Sequence, residues 1–434
     1  MSQVFLKTAV LFLVTTCTLA EPLTLREAAL ESLSKHPSLD VAHYSVEIQR
    51  ARFKQLQAPF YPTVLGRSGF SRNQASSQNN LSSSVSAVQT LADFGKRRNN
   101  SKEQELLTQA SQYNLDATAQ GLISQVAIAF LALNRDQQLV GIQEANVRWS
   151  NTRLIEADSR ALDQTLAKSD LSAAQLSLLN AKNARKISQV QLGNTMGRKK
   201  AYLQEVAAAF FEVPSWSEEH AQQMALQHRP QVLSARAQRG AAHAATKAAR
   251  AGFRPTVNAV GSYGFQNLGL SQELNLWNLG VELSIPIFNQ QLLSGGVDQA
   301  KAAKARQEAV LRALELSVTG EVNQSLVNTQ QTQLQVYQNQ RNVLGAYHTF
   351  IETWAAYRAG RGDARDVSNA QRDLVASQAT LVSTAFAHQQ AILALYLDTG
   401  QLSLEVLPDD PTPLSHSINR YLSPKRIELP DSGS

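Results

Sequence analysis

The stretch APFYPTV at residues 58–64 returns as AGFRPTV at residues 251–257. Proline has no amide hydrogen and its ring clashes with the preceding helical turn, so each Pro-Thr-Val triplet predicts the end of a helix. The residues that follow, TVLGRSGF and TVNAVGSYGF, are rich in the valine, serine and glycine of exposed strands and turns. Each stretch therefore predicts a passage from helix to strand, and the chain makes that passage twice.

Two further matches keep nearly the same spacing. Pro37 and Pro230 are 193 residues apart, as are Pro62 and Pro255. SDLSAAQLSL at residues 169–178 corresponds to RDVSNAQRDL at residues 365–374 after a shift of 196. Matches in one order at nearly constant spacing predict two copies of one unit, residues 21–213 and 214–400. Residues 401–434 are rich in proline, serine and charge and are predicted to be an irregular tail.

Each copy is predicted to contain a helix of about 30 residues, two strands and two long helices. The clearest strand, in LWNLGVELSIPIF, alternates apolar Trp277, Leu279 and Val281 with polar or small residues. Such alternation over a run of this length predicts a strand with one apolar face. The predicted strands cover about residues 61–72, 81–93, 255–266 and 276–288, and the long helices cover about residues 95–200 and 296–400.

The long helices follow from the placement of the prolines. None lies between Pro62 and Pro214 or between Pro286 and Pro408. Helices can therefore run unbroken for about 100 Å at about 1.5 Å per residue. We expect each to reverse in a turn, at Gln164 in the first copy and at Gly360 in the second.

Four strands are too few to close a membrane barrel, which needs about eight or more. An open sheet edge is not stable in lipid, so membrane-spanning strands would require several copies of the chain. Three copies would supply 12 strands. The strand pattern also fits a soluble sandwich, which the sequence leaves open.

The first 20 residues predict a secretory signal peptide. Lys7 precedes the short apolar run TAVLFLV, and Thr18-Leu19-Ala20 provides the small residue needed before a cleavage site. We expect cleavage after Ala20. The alternative is a lipoprotein signal in which Cys17, the only cysteine, is acylated. No later window holds 18 consecutive apolar residues, so no membrane-spanning helix is predicted.

The sequence favours neither an enzyme nor a nucleic-acid-binding protein. Gly95-Lys96 lacks the upstream glycine of a nucleotide-binding loop. His220 and His228 share a helix face but have no third metal ligand. The net charge of +6 is dispersed rather than gathered in blocks. We therefore predict no cofactor, no metal and no nucleic-acid partner.

Several segments together resemble the TolC family of outer-membrane channel proteins. They are the duplication itself, LADFGKRR at residues 91–98, IPIFNQQLLSGG at residues 285–296 and YRAGRGDARDVSNAQRDL at residues 357–374. The resemblance implies a mainly α fold with a β-barrel contribution. In that fold, four strands per chain form a trimeric 12-stranded membrane barrel joined to a long periplasmic α-helical barrel.

The resemblance also implies a location and a set of partners. The homotrimer would lie in the lipid of the outer membrane and extend into the periplasm. It would be the exit duct of a multidrug efflux pump or a type I secretion system. Its partners would be a periplasmic adaptor and an inner-membrane pump of the ABC, RND or MFS type. The alternative is a soluble or surface-attached periplasmic helical scaffold without channel activity.

The same resemblance implies a gate at the periplasmic tips of the helices. Asp366 would form a ring of three carboxylates, and Tyr357 would bond Asp170 across helices. Asn369 stands where the family often has a second aspartate, so cation block should be weaker. The position of the family's gate arginine is taken by a glycine, which leaves neighbouring Arg361 as the candidate.

The tip turns at Gln164, Gly360 and Gly362 would contact the adaptor. For the two aspartates, the alternative is an ordinary carboxylate at a helix N-terminus, which the helix dipole favours. The triplet Arg361-Gly362-Asp363 matches the motif that adhesion receptors bind. We interpret it as a coincidence of the glycine-containing turn.

Overall fold

The computed structural model describes residues 22–73, 78–157, 161–198, 206–268, 273–287 and 290–409. The predicted signal peptide, with Cys17 and the cleavage position Ala20, lies outside these residues. Most of the C-terminal tail lies outside them as well.

The described chain runs twice through the same order: two helices, two strands and two further helices. We call residues 22–213 the first half and residues 214–400 the second half. The first half contains α1 (Leu25–Lys35), α2 (Pro37–Gln57), β1 (Thr63–Asn73), β2 (Gln78–Ala92), α3 (Lys96–Glu156) and α4 (Ala161–Thr195). The second half contains α5 (Glu218–His228), α6 (Pro230–Ala251), β3 (Thr256–Leu268), β4 (Glu273–Ser284), α7 (Gln290–Arg358) and α8 (Ala364–Asp398).

The helix of about 30 residues predicted at the start of each half is instead two helices. The breaks fall at His36 and Arg229, the residues before Pro37 and Pro230, and both have extended backbone. A proline ring clashes with a helical backbone at the residue before it, so His36 and Arg229 take an extended conformation and the helix breaks there. Proline is then well placed at the first position of the next helix.

The four strands form one antiparallel sheet in the order β1-β2-β3-β4. Residues directly opposite each other share a face, so the register assigns every side chain to one of two faces. Trp277, Tyr263 and Val85 are opposite one another in turn. They lie on a face that we call the apolar face; its other large apolar members are Val64, Phe70, Leu81, Val257, Phe265, Leu279, Val281 and Leu283.

The apolar face is open in the single chain: Leu279 is 80% exposed and Trp277 is 77% exposed. The opposite face is mostly polar. It carries Arg67, Ser82, Ser84, Ser86, Asn258, Ser262, Asn278, Glu282 and Ser284. The sheet therefore exposes an apolar surface on one side and a polar surface on the other.

The long helices confirm the predicted scale but not all of the predicted ends. α3 has 61 residues and α7 has 69, which correspond to about 90 and 100 Å. The predicted turn at Gln164 is wrong: α3 ends at Glu156, α4 begins at Ala161, and Gln164 is helical. α7 begins at Gln290, so Gly295 and Gly296 lie inside the helix, where glycine costs only about 1 kcal/mol.

Each long helix has shorter neighbours at its two ends. α3 packs against α2 and α6 near its start, where Gln104 bonds Gln49 and Leu106 lies beside Gly240, and against α4 and α8 near its end, at Arg153. α7 packs likewise against α6 and then α8. The α3–α4 and α7–α8 connections therefore lie at the end of the molecule farthest from the sheet, and we call these connections the tips.

The largest core cluster lies around the middle of α3. Val126, Ala127, Phe130 and Leu131 are fully buried there, against residues of α1, α4 and α8. α3 contains a window of 18 residues with mean hydropathy 1.3, apolar enough to cross a membrane. Because its apolar residues supply this core cluster, we interpret α3 as a core helix.

The start of the tail belongs to the core. Leu402 and Leu407 are buried in the cluster around α3, and Asp409 forms an ion pair with Arg26 at 3.1 Å. Up to Asp409, the predicted irregular tail is thus a packed segment without regular secondary structure.

The two halves differ where α4 and α8 end near α1 and α5. Arg198 binds Glu31 through both carboxylate oxygens, at 2.8 and 2.5 Å, and this pair lowers the pKa of Glu31 to about 2. In the second half, Arg229 forms an ion pair with Glu321 at 2.6 Å and lies 3.9 Å from Asp398. Burial raises the pKa of Asp398 despite the nearby arginine and a hydrogen bond from Ser325.

Candidate functional site

The tip of the second half is a tight turn around Gly360. The amide of Arg361 donates to the carbonyl of Ala356 at 2.9 Å, and the amide of Gly360 donates to that of Tyr357 at 3.0 Å. Gly360 has φ of +71°, a left-handed conformation that glycine adopts without strain. This paired pattern closes the carboxyl end of α7, so the turn is rigid.

The chain then passes so close to α7 that residue 362 has no room for a side chain. A Cβ on Gly362 would lie 2.9 Å from the backbone nitrogen of Tyr357. Asp363 next caps α8, since its carboxylate accepts from the amide of Arg365 at 3.1 Å. Predicted tip residues Gly360 and Gly362 thus have a structural reason to be glycine.

The tip of the first half is organised around Arg153, near the end of α3. Its guanidinium is 5% exposed and lies 3.0 Å from the carboxylate of Asp170 on α4. The same oxygen of Asp170 accepts a hydrogen bond from Ser368 on α8 at 2.6 Å. Arg153 also donates to the carbonyl of Ala364 at 3.4 Å. One buried cation therefore links α3, α4 and the beginning of α8.

Gln371 extends this network. Its side-chain oxygen accepts from Arg153 at 3.4 Å, and its amide donates to Asn146 at 2.8 Å and to Ser150 at 3.1 Å. Polar groups buried with all these partners specify one arrangement of the helices, because any shift leaves an unpaired polar group. We call Asn146, Ser150, Arg153, Asp170, Ser368 and Gln371 the tip network.

The predicted bond between Tyr357 and Asp170 is replaced by other contacts. The hydroxyl of Tyr357 donates to Asp163 on α4 at 3.2 Å, whereas Asp170 is bound by Arg153 and Ser368. The first-half turn comes before residue 161, so Asp163 lies in the first turn of α4, near Tyr357. Asp170 lies two helical turns farther along.

Asp366 and Arg361 lie on the surface of the tip. Asp366 is in the first turn of α8 and is exposed, as is Arg361 in the turn before it. The tip network therefore brings Asp170 together with residues of α3 and α8, while Asp366 and Arg361 face solvent in the single chain.

Comparison with known proteins gives the chain its family. The family model described as outer membrane efflux protein matches residues 29–198 and 221–401. The chain belongs to this family. The match spans both halves, and it decides between the two functions raised by the sequence: this efflux protein is an outer-membrane channel, not a scaffold.

Its relatives include proteins named for export. The pyoverdine export outer membrane protein OpmQ of Pseudomonas aeruginosa is 26% identical over 352 residues, covering 78% of this chain and 74% of OpmQ. The cation efflux system protein CusC of Escherichia coli strain K12 is 25% identical over 396 residues, 85% of each chain.

Solved structures share the fold. A crystal structure of CusC matches with a TM-score of 0.78, 21% identity and coverage of 87% of this chain and 92% of the other. The open state of the Neisseria gonorrhoeae channel MtrE matches with a TM-score of 0.75, 18% identity and coverage of 87% and 88%. The helical and β parts of this efflux protein thus have known counterparts of the same architecture.

Aromatic packing supports the tips of the efflux protein from the sheet side. Trp149 of α3 meets Phe350 and Trp354 of α7 edge to face, with ring centroids 5.2 and 5.8 Å apart. Trp354 in turn stacks on Tyr357 at 6.0 Å. Edge-to-face aromatic pairs contribute about 0.5–1.5 kcal/mol beyond their buried area, so the two hairpins are joined firmly just before the tips.

The sequence prediction missed Arg153. In the sequence, Arg153 is three residues after Ser150 and four before Ala157, a spacing that puts it on one helix face with small residues. An arginine on a buried helix face needs an anionic partner. The identity of that partner depends on how α4 and α8 pack, which the spacing does not give.

Proposed function

We propose that three copies of this chain assemble into one channel. In each sheet β1 and β4 are the outermost strands, and each has one hydrogen-bonding edge without a partner in the described chain. Backbone groups left unpaired in lipid cost several kcal/mol each, so the edges must be covered. Pairing β4 of one copy with β1 of the next covers every edge, and three copies close a barrel of 12 strands.

The main support for a membrane barrel is that the sheet has one apolar face and one polar face. In a closed barrel the apolar face turns toward lipid, and the polar face, with Arg67, Ser84 and Glu282, lines the lumen. This is the alternation expected of a membrane barrel with a water-filled interior. A soluble sandwich would bury the apolar face, whereas Trp277 and Leu279 remain open in the single chain.

The helices offer matching surfaces for neighbouring copies. Exposed apolar side chains run along α4 and along α7, although both helices are packed on their other sides. The stripe on α4 is Leu176, Leu179, Ile187 and Val190, and that on α7 is Leu316, Val327, Leu334 and Tyr337. Exposed apolar side chains that recur along one helix face indicate an interface. Adjacent copies would cover both stripes and form a helical barrel about 100 Å long.

We further propose that the tips form the gate of this channel. Three exposed Asp366 carboxylates, gathered around the axis of the trimer, would attract cations and act as a selectivity filter. Opening the gate requires α8 to move relative to α3 and α4, which separates Ser368 from Asp170 and Gln371 from Arg153. The tip network and the Tyr357–Asp163 bond would therefore stabilise the closed state.

The channel would work with a periplasmic adaptor and an inner-membrane pump. The sequence has no nucleotide-binding loop, so the energy for transport would come from the pump. The relatives are named for pyoverdine export and for cation efflux. We propose efflux of small solutes on this likeness, rather than protein secretion.

Planar-bilayer recordings of the purified protein test this proposal. We expect single pores selective for cations and blocked by hexamminecobalt(III), and we expect Asp366→Ala to weaken the block at least tenfold. Asp298→Ala, which removes an exposed carboxylate near the start of α7, is the matched control and should leave the block unchanged. A soluble protein without conductance would contradict the channel. Equal block of the Asp366→Ala pore and the wild-type pore would contradict the role of Asp366.

A further inference from the structure

The helix ends beside the sheet carry an excess of positive charge. Five cations lie there within about 11 Å, or two helical turns, of a helix end next to a strand. All five are exposed, and none forms a salt bridge in the part of the chain that the structure describes. We call them the basic belt; its members are Lys54 of α2, Arg98 of α3, Lys247 and Arg250 of α6, and Arg254 between α6 and β3.

Acidic side chains near these helix ends do not neutralise the basic belt. Each is paired with a cation that is not a member of the belt; the pairs are Asp93–Arg97, Glu105–Lys102, Glu47–Arg50 and Asp298–Lys301. The whole chain has a net charge of +6, so the five charges of the belt correspond to most of the excess. Positive charge that is dispersed along the sequence is thus gathered by the fold at one level of the molecule.

A groove identifies the concave side of the helical layer. It is lined by residues of α2, α3, α6 and α7, among them Arg52, Glu103, Ala245 and Ala303. A groove bordered by four neighbouring helices lies on the side toward which their layer curves. In the proposed trimer this side faces the lumen, because the wall of a barrel curves toward its axis.

The basic belt lies on the opposite, convex side of this layer. Successive residues of a helix are about 100° apart around its axis. The separations from the groove residue on the same helix are two positions for Lys54 and Lys247 and five for Arg98. They correspond to about 160° for the first two and about 140° for Arg98. In the trimer these cations therefore face outward, away from the lumen.

Exposed aromatic side chains lie between the belt and the strands. Phe60 and Tyr61 precede β1, Phe94 follows β2 and Phe253 precedes β3, and each is at least 43% exposed. Arg254 donates to the carbonyl of Phe94 at 3.3 Å, so the aromatic residues and the belt adjoin. Phe94 has φ of +49°, a strained conformation for a bulky residue and one that is often found at functional positions. Aromatic rings concentrate at the boundary between hydrocarbon and headgroups.

We propose that the basic belt binds the phosphates of anionic phospholipids in the periplasmic leaflet of the outer membrane. This inference rests on the proposed function, because it takes the sheet to span that membrane. From sheet to helices the surface changes from apolar to aromatic to cationic, which is the order of hydrocarbon, interface and headgroup phosphate. A guanidinium binds phosphate through two parallel hydrogen bonds, and lysine binds it as a point charge.

Anionic lipids are favoured over zwitterionic ones for an electrostatic reason. A zwitterionic headgroup carries its own cation beside the phosphate, whereas phosphatidylglycerol leaves the phosphate charge uncompensated. Basic residues next to a membrane-spanning segment attract such anionic lipids, and the attraction is screened within a Debye length. Bound in this way, the lipids would fix the height of the barrel in the membrane.

Lipid discs made from an equimolar mixture of phosphatidylglycerol and phosphatidylethanolamine test this inference. The purified trimer is released from the discs in a mass spectrometer, and the lipids that stay bound are identified. We expect the wild type to retain phosphatidylglycerol in preference to phosphatidylethanolamine. The variant Arg98→Gln, Lys247→Gln, Arg250→Gln should lose at least about tenfold of this preference, since each cation near an anionic surface contributes about fivefold to binding.

The matched control removes the same charge far from the sheet. Arg148, Arg358 and Arg365 are exposed and lie toward the tips, so the triple glutamine variant at these positions should keep the lipid preference of the wild type. Equal retention of the two lipids by the wild type would overturn the inference. An equal loss of preference in the belt variant and the control variant would overturn it as well.

Bilayer conductance separates failure of this inference from failure of the proposed function. The belt variant should conduct like the wild type, which also shows that it is folded. If the wild type conducts but retains both lipids equally, only the lipid contact is wrong. If the wild type does not conduct, the proposed channel is wrong, and the inference about the belt fails with it.

Discussion

The tips of the two halves solve the same task, reversing a long helix, by different means. The first-half tip is tied inward: buried Arg153 joins α3 to Asp170 of α4 and to α8. The second-half tip is closed by backbone geometry around Gly360 and presents its arginines to solvent. The first tip thus supplies buried bonds between α3, α4 and α8, while the second leaves its charged side chains exposed.

The largest effect is expected when the buried cation of the first tip is removed. Arg153→Ala leaves the carboxylate of Asp170 without its buried partner, and breaking a buried ion pair costs about 3–5 kcal/mol. Asp170 retains some exposure, so we expect the lower end of that range. The closed state should lose stability, and pores in planar bilayers should open to a larger conductance.

Arg148→Ala is the control for Arg153→Ala. Arg148 lies on the same helix but is exposed, so its removal should leave the conductance at the wild-type value. Equal conductance of the Arg153→Ala and Arg148→Ala pores would show that the tip network does not hold the gate.

At the second tip the largest effect should come from its backbone. Gly362→Ala puts a Cβ 2.9 Å from the backbone nitrogen of Tyr357, and relieving such a clash costs about 1–3 kcal/mol. Gly360→Ala meets no neighbouring atom within 4 Å but must adopt φ of +71°, which costs about 1–2 kcal/mol. Hydrogen exchange of the α8 amides should therefore accelerate more in Gly362→Ala than in Gly360→Ala, and the reverse order would contradict the packing described for residue 362.

The comparison extends to the other ends of α4 and α8, where it predicts opposite responses to pH. The folded pKa of Glu31, about 2, lies below its ordinary value of 4.5. The ionised Glu31 therefore adds to the stability of the folded state above pH 4.5, and this stabilisation is lost as pH falls toward 2. We expect the free energy of unfolding to fall by about 1 kcal/mol over this range, once solvent screening of the partly exposed Glu31–Arg198 pair is included.

Asp398 has the opposite shift, since burial raises its pKa. Protonated Asp398 adds to the stability of the folded state below pH 3.8, its ordinary pKa. This stabilisation is lost as pH rises through the raised pKa. Hydrogen exchange of α1 in wild type and Glu31→Gln checks the first half: only the wild type should lose protection between pH 4.5 and 2. Asp398→Asn should remove the pH response of the α8 end above pH 3.8. The same pH dependence of amide protection at both sites would contradict the opposite pKa shifts of Glu31 and Asp398.

The smallest effect concerns the bond between the two tips. Tyr357→Phe removes the donor to Asp163 and keeps the stacking on Trp354, so it should cost about 1 kcal/mol. We expect a modest rise in the open probability of single pores, smaller than for Arg153→Ala. A larger effect of Tyr357→Phe would mean that this bond, and not the tip network, dominates the closed state.

The features that sequence could predict are those set by local chemistry. The Pro-Thr-Val triplets gave the starts of β1 and β3 within a few residues, and alternation in LWNLGVELS gave the faces of β4. Gly360 marked the second turn because a left-handed residue after a helix favours glycine. The family resemblance supplied the architecture, which the solved structures of the same fold confirm.

The first turn was misplaced for an identifiable reason. Gln164 is 196 residues before Gly360, the same shift that relates the two Asp-x-Ser-x-Ala-Gln segments. Aligning the two repeats therefore placed the first-half turn at Gln164, opposite Gly360. Local chemistry argued otherwise, because glutamine is a good helix former and Asp158-Ser159 are turn residues nearby. The pairing of Tyr357 with Asp170 came separately, from the family resemblance, whereas the structure pairs Tyr357 with Asp163.

Contacts between distant segments were beyond the sequence. Arg153 and Ser368 are 215 residues apart in the chain, and both reach Asp170 only because α8 packs beside α3 and α4. No local pattern specifies that packing, so the network had to come from the structure.

The proposed channel requires three copies to meet at tips that Arg153 holds closed. Distances between spin labels on Ala359→Cys, placed beside the second-half turn, test it directly in the purified protein. We expect one short distance between equivalent labels, as three-fold symmetry requires, and a longer and broader distribution of distances when Arg153→Ala is added. Several distinct wild-type distances, or an unchanged distribution in the double variant, would contradict it.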